Sequence, residues 1–121
     1  MFIISIKTDF SAAHHIKGYK GNCSELHGHN YHVEVSVRAH KVNSIGMCVD
    51  FRNLKEIAET AISGLDHKNL NVLPFFKEKN PTAEHIAQFI YEKITDNLKG
   101  SFSLDSVKVW ETDKYAVTYS E

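Results

Sequence analysis

The sequence predicts an α+β domain, an antiparallel sheet of four strands with two helices on one of its faces. Three observations predict it. Two long runs of period-two alternation open the chain, two helical stripes fill its middle, and two short alternating runs close it. Like elements come in pairs, so no strand–helix–strand alternation calls for a parallel sheet. The 121 residues suffice for one domain, taken as 1–121, with a core burying roughly two-thirds of the unfolded surface.

In residues 2–14, Ile4, Ile6, Thr8, Phe10, Ala12 and His14 share one parity, against Ser5, Lys7, Asp9 and Ser11. That is a strand with one buried face. Residues 15–24, with two glycines and an asparagine, read as a loop. Alternation resumes with His27, His29, Tyr31, Val33, Val35 and Val37, a second long strand. Asp50 predicts an N-cap for a helix reaching about residue 65, with Leu54, Ile57, Ala58, Ala61, Ile62 and Leu65 as its stripe. Residues 66–79 read as irregular. Asn80-Pro81-Thr82 opens a second helix with the stripe Ile86, Phe89, Ile90, Ile94 and Leu98, ended by Gly100. Val107, Val109 and Glu111 alternate in a third strand, and Asp113-Lys114 turns the chain into a fourth over 115–119.

Composition narrows the function classes. Apolar residues make up 42% and charged residues 24%, which argues against disorder. The net charge of −1 supplies no basic surplus for a nucleic-acid backbone. No segment approaches the ~20 apolar residues of a membrane helix, and the start has no basic region of a signal peptide. Two cysteines, Cys23 and Cys48, are too few for a disulfide framework. The expectation is a soluble cytoplasmic protein with free thiols. Eight histidines are the outlier.

His27-Gly28-His29 puts two imidazoles on one face of a strand. His14 ends the first strand on its apolar parity, so a hairpin would bring the three rings together. Three neutral imidazoles around one point suit a zinc ion with an open fourth position. A lone His-x-His pair is more often surface polarity; His14 on the apolar parity tips the balance, because an unpaired imidazole there needs a partner. His32 and His40 fall on the opposite parity and read as surface residues, as do His15 and His85 by default.

Cys23, four positions before the pair, is either a fourth zinc ligand or a base and nucleophile beside the metal. Spacing leaves both open. Cys48 in an apolar context reads as a small hydrophobe. Asp66-His67, where the first helical stripe stops, is a surface loop by default and an oriented proton carrier if the loop folds over the metal. Glu111 sets a carboxylate at the end of an otherwise apolar face. It marks either the strand's emergence into solvent or a group that takes two hydrogen bonds from a ligand's donor pair. Glu84 is accounted for by its place at a helix start. Lys17 and Lys20 could attract an anion, though loop lysines are usually just solvated.

Taken in order, Phe10-Ser11-Ala12-Ala13-His14, Cys23-Ser24-Glu25-Leu26-His27-Gly28-His29-Asn30-Tyr31, Gly46-Met47-Cys48-Val49-Asp50-Phe51, Leu65-Asp66-His67-Lys68-Asn69-Leu70-Asn71, Asn80-Pro81-Thr82-Ala83-Glu84 and Trp110-Glu111-Thr112 resemble the 6-pyruvoyl-tetrahydropterin synthase family. Three residues between Cys23 and His27 match its 6-carboxytetrahydropterin synthase branch. The resemblance implies the tunnelling fold, in which three subunits close their sheets into a barrel and two trimers stack. It implies Zn2+ on His14, His27 and His29, Cys23 as proton-abstracting base, and Asp66 and His67 completing a catalytic triad. Glu111 would anchor the pterin and join the charge relay, and Glu84 would add a second pterin contact. The implied reaction is a lyase step: 7,8-dihydroneopterin triphosphate becomes 6-carboxy-5,6,7,8-tetrahydropterin, acetaldehyde and triphosphate, feeding 7-deazaguanine and queuosine synthesis. The alternatives are 6-pyruvoyltetrahydropterin formation and a non-catalytic zinc- or pterin-binding module.

Overall fold

Alternation in the first third of the chain becomes two thirteen-residue strands, β1 (Phe2–His14) and β2 (His27–Ala39). They pair antiparallel without a slip from Phe2↔Ala39 to His14↔His27. The structure is a computed structural model describing Met1–Glu121. Pairing sums of constant parity place even residues of β1 and odd residues of β2 on one face, so Ile6 sits by Val35 and Phe10 by Tyr31. That face is the core side. Tyr31, Val33, Val35 and Val37 are fully buried there, each burial being worth roughly 1.5–3 kcal/mol for a valine-sized group. A one-residue slip would send all of them to the other face, so register is strongly specified. Val35→Asp would break this layer by leaving an unpaired charge in it.

Helix α1 (Phe51–Ile62) starts where expected. Asp50 caps it by accepting the Arg52 N–H at 2.8 Å. It ends at Ile62, earlier than the stripe to Leu65 implies, and Leu65 stays in the core from the turn that follows. Helix α2 (Ala83–Asn97) has Thr82 as N-cap, so Pro81 lies before the helix and not in its first turn. Gly100 lies past its last residue with a positive φ of 131°. Strand β4 (Ser103–Thr112) pairs with β2, and β5 (Tyr115–Tyr119) with β4, both antiparallel. Both helices lie on the core face, α1 against β1 and α2 against β4 and β5.

The sheet has five strands and not four. Lys68–Asn69, in the stretch expected to be irregular, forms β3 and pairs parallel with β1 at Ala12 and Ala13. The order is β3-β1-β2-β4-β5, a mixed sheet. Long-range capture by the β1 edge, which leaves no local period, makes this strand. The His67 N–H donates to the Ser11 carbonyl at 2.6 Å and leads the chain into register. No helix is long and apolar enough to cross a membrane.

Candidate functional site

The hairpin register puts His14 beside His27 and Ala12 beside His29, so all three imidazoles stand on the core face at the end of β1 and start of β2. Two rings have a fixed tautomer. His14 Nδ1–H donates to the Pro81 carbonyl and His27 Nδ1–H to the Glu25 carbonyl, each at 2.7 Å. A carbonyl only accepts, so each neutral ring turns a bare Nε2 lone pair inward. These two Nε2 atoms lie 3.1 Å apart. Facing lone pairs at that distance repel unless a proton or cation lies between them. His29 Nε2 is buried without a hydrogen-bond partner, although Glu111 Oε1 stands 3.1 Å away. The distance is right and the alignment is not, which suits a lone pair aimed at a third body.

Glu111 Oε1 is also 3.1 Å from His14 Nε2, and the four donor atoms lie within 4.8 Å of one another. Ligands on a tetrahedral ion at ~2.0–2.1 Å stand about 3.3 Å apart, close to the 3.1 Å separations of His14–His27, His14–Glu111 and His29–Glu111. The group can hold a metal ion, and the carbonyls behind His14 and His27 are the outer partners that fix such ligands. Burial holds His29 below the ordinary imidazole range, aided by the neighbouring His14 and His27 and opposed by Glu111. A neutral ring is the ligating form. The adjacent His14 imidazole, then His29, holds the Glu111 carboxyl below its ordinary range against the opposing effect of burial.

Glu111 stands on the core parity of its strand, at a break in the ladder to β5. Trp110 pairs with Ala116 and Thr112 with Tyr115, so Glu111 has no opposite number on β5. Such a bulge re-aims a side chain next to a site. Tyr31, two residues beyond His29 on the same parity, was visible only as part of the apolar alternation. It is fully buried, stacks on Phe10 at 4.9 Å and brings its hydroxyl to 3.2 Å from His14 Nδ1. Burial, then the Glu111 charge, pushes its ionisation up, so it stays protonated.

The remaining candidates stand at the sheet's edge. Asp66 Oδ1 accepts the Ser11 N–H at 3.0 Å and lies 3.0 Å from His67 Nδ1. Adjacent side chains commonly diverge; here His67 has a φ of 59°, the one non-glycine residue with positive φ, and the two meet. The Ser11 bond, with His67, holds the Asp66 carboxyl below its ordinary range. His67 is 82% exposed. It lines an open cleft of about 490 Å³ with Ser11, Ala13, Gly28, Asn30 and Asn69, on the sheet face opposite the one that carries the three imidazoles. A Cβ on Gly28 would meet only the Ala12 carbonyl at 3.7 Å, so packing within this chain does not require glycine there. Cys23 is exposed in a short 3-10 turn (Asn22–Ser24) and is not among the four converging donors; the fourth is Glu111. Glu84 is exposed in the first turn of α2. His15 is bound through its backbone to Asn71, and His85 donates from Nδ1 to the Asn80 carbonyl.

A mixed α+β sheet with a histidine–carboxylate cluster at the end of its first hairpin defines a protein able to hold a metal ion at that end of the sheet. The model of the 6-pyruvoyl tetrahydropterin synthase family matches residues 3–121, and the chain belongs to that family. It is 40% identical over 115 residues to a putative 6-carboxy-5,6,7,8-tetrahydropterin synthase of Archaeoglobus fulgidus, covering 94% of this chain and 92% of that one. It is 36% identical over 114 residues to the dihydroneopterin monophosphate aldolase of Pyrococcus furiosus, covering 94% and 93%. The structure of Caenorhabditis elegans 6-pyruvoyl tetrahydropterin synthase superposes with a TM-score of 0.84 at 30% identity, covering 100% and 97%.

Proposed function

We propose that the chain is a zinc-dependent 6-carboxytetrahydropterin synthase. It would convert 7,8-dihydroneopterin triphosphate to 6-carboxy-5,6,7,8-tetrahydropterin, acetaldehyde and triphosphate in the cytoplasm, on the way to 7-deazaguanine and queuosine. The observation that carries the reading is the gathering of the His14, His27 and His29 imidazoles with Glu111, their ligand atoms all within 4.8 Å of one another. The spacing Cys23-x-x-x-His27-Gly28-His29 and the 40% relative support the 6-carboxy branch.

His14, His27 and His29 would hold the zinc ion, which when bound supplies a Lewis acid toward the oxygens of the substrate's side chain. Cys23 takes a proton from that side chain. His67, oriented by Asp66, moves protons in the later steps, and its exposure lets it exchange them with solvent. Glu111 faces the imidazoles with one oxygen and has a second to accept from the pterin's N–H and amino donors. Glu84, exposed in the first turn of α2, would add a second pterin contact.

The edges support assembly. β3 has two residues and β5 five, and Phe2, Ile3 and Tyr115 are apolar and exposed on edge or outer positions. Closing three sheets into a barrel removes such edges, so the working form would be a trimer or a dimer of trimers.

Product analysis tests the whole reading. With purified zinc-loaded protein and dihydroneopterin triphosphate, acetaldehyde and the 6-carboxy product are expected. A product that keeps its side-chain carbons would assign it to 6-pyruvoyltetrahydropterin formation. Turnover of the monophosphate alone would align it with the Pyrococcus furiosus relative, and no turnover of either with tight pterin binding would make it a binding module.

A further inference from the structure

The β1 ladder does not stop where its partner strands do. β3 ends at Asn69, and β2 begins at His27, opposite His14. Yet the backbone groups of the next residues are bound. The His15 N–H donates to Asn71 Oδ1 at 2.9 Å, and Asn71 Nδ2 donates to the His15 carbonyl at 3.0 Å. The Lys17 N–H donates to Asn80 Oδ1, and Asn80 Nδ2 donates back to the Lys17 carbonyl, both at 2.9 Å. A side-chain carboxamide carries the same donor and acceptor as a peptide unit, so each asparagine stands in for one residue of a strand. Asn71 even keeps the register of the parallel pair: Ala12 meets Lys68, Ala13 meets Asn69, and His15 meets Asn71 at the same offset of 56.

Alternate residues of an extended chain present their backbone groups to opposite edges. With 15 and 17 turned toward the asparagines, residue 16 is turned toward β2. There the Ile16 N–H donates to the Cys23 carbonyl at 2.8 Å. Between them the chain passes Gly18 and Gly21, both at positive φ, where the backbone is least restricted. Asn80 also precedes Pro81, whose carbonyl holds the first imidazole.

We propose that Asn71 and Asn80 are positioning residues that extend the β1 ladder by side chain and so set where Cys23 stands relative to the imidazole cluster. The proposal rests on the assignment of Cys23 as base. A displacement of about 1 Å at a reacting group costs on the order of a hundredfold in rate, so a clamp of this kind acts on turnover more than on affinity.

The test uses Asn71→Asp/Asn80→Asp, which keeps size and the accepting oxygen but removes the amide donors, with the two alanine variants alongside. Three quantities are measured on the zinc-loaded protein: kcat and KM with dihydroneopterin triphosphate, zinc content, and the iodoacetamide alkylation rate of Cys23, read by peptide mass. The expected result is kcat lowered at least tenfold, KM within threefold, alkylation changed at least threefold and zinc retained. An unchanged alkylation rate, or zinc lost in step with kcat, would overturn the proposal. Should the alanine variants fail to fold, the aspartate pair still carries the measurement. Full turnover in Cys23→Ala would remove the base assignment alone, because alkylation reports the placement of the loop without reference to turnover.

Discussion

The imidazole cluster and the Asp66–His67 pair both flank the end of β1 but are built from different material. The cluster stands on two strands paired over thirteen residues, with His14 only 1% exposed. The pair stands on a turn between a helix and a two-residue strand, with His67 82% exposed. A metal centre needs donors that are neutral, fixed and stripped of water, and paired strands supply that. A proton carrier needs access to substrate and solvent, and an edge turn supplies that. The difference predicts that damage to each half is felt separately.

The largest effect should come from breaking the buried half. His29→Ala removes one of the converging donors, and loss of partners behind such ligands already costs roughly 10–100-fold in metal affinity. Removing the ligand itself should exceed that. Zinc titration with a competing chelator checks it; affinity within threefold of wild type would mean the cluster does not bind metal through His29.

Next is Cys23→Ala. With the thiol outside the converging donors, zinc content should stay at the wild-type value while turnover falls by ~10²–10⁴, the range of a lost general base. Acetaldehyde release and metal analysis on one sample decide it. Zinc lost together with turnover would tie the two halves into one unit.

The smallest effect sharpens the exposed half. Asp66→Asn keeps an oxygen for the Ser11 N–H but loses the charge beside His67. The Asp66 carboxyl is held below its ordinary value of 3.8, so its contribution to stability is complete above that value and fades as pH falls through the lower folded one. The Tm gap between wild type and Asp66→Asn should therefore be constant at neutral pH and close on acidification below pH 3.8. A gap that persists in acid would locate the effect in something other than the carboxylate's charge.

Much of the buried half was legible in the sequence because parity reports it. A period of two carried from Ile4 to His14 and from His27 to Val37 places three imidazoles on the core face, and the same count isolates Glu111. What parity does not report is the bulge. It leaves Glu111 without a partner on β5, with Oε1 3.1 Å from His14 and His29 Nε2. The edge was less legible. β3 has no period in two residues; Asn71 falls in the stretch that reads as irregular and Asn80 in the run that reads as opening a helix, where carboxamides have a local use. Their partners lie 56 and 63 residues away, a separation no local pattern encodes. Tyr31 shows the converse: it was correctly counted as buried, and its hydroxyl's contact with His14 followed only from the assembled hairpin.

His67 sits in a left-handed backbone conformation that most residues enter at a cost of about 1 kcal/mol or more, and glycine enters freely. Two kinds of selection therefore pull on this position in opposite directions. A population screened for thermal stability alone should drift to glycine or asparagine at 67, gaining a more robust fold. One screened for pterin turnover should keep histidine and tolerate the strain.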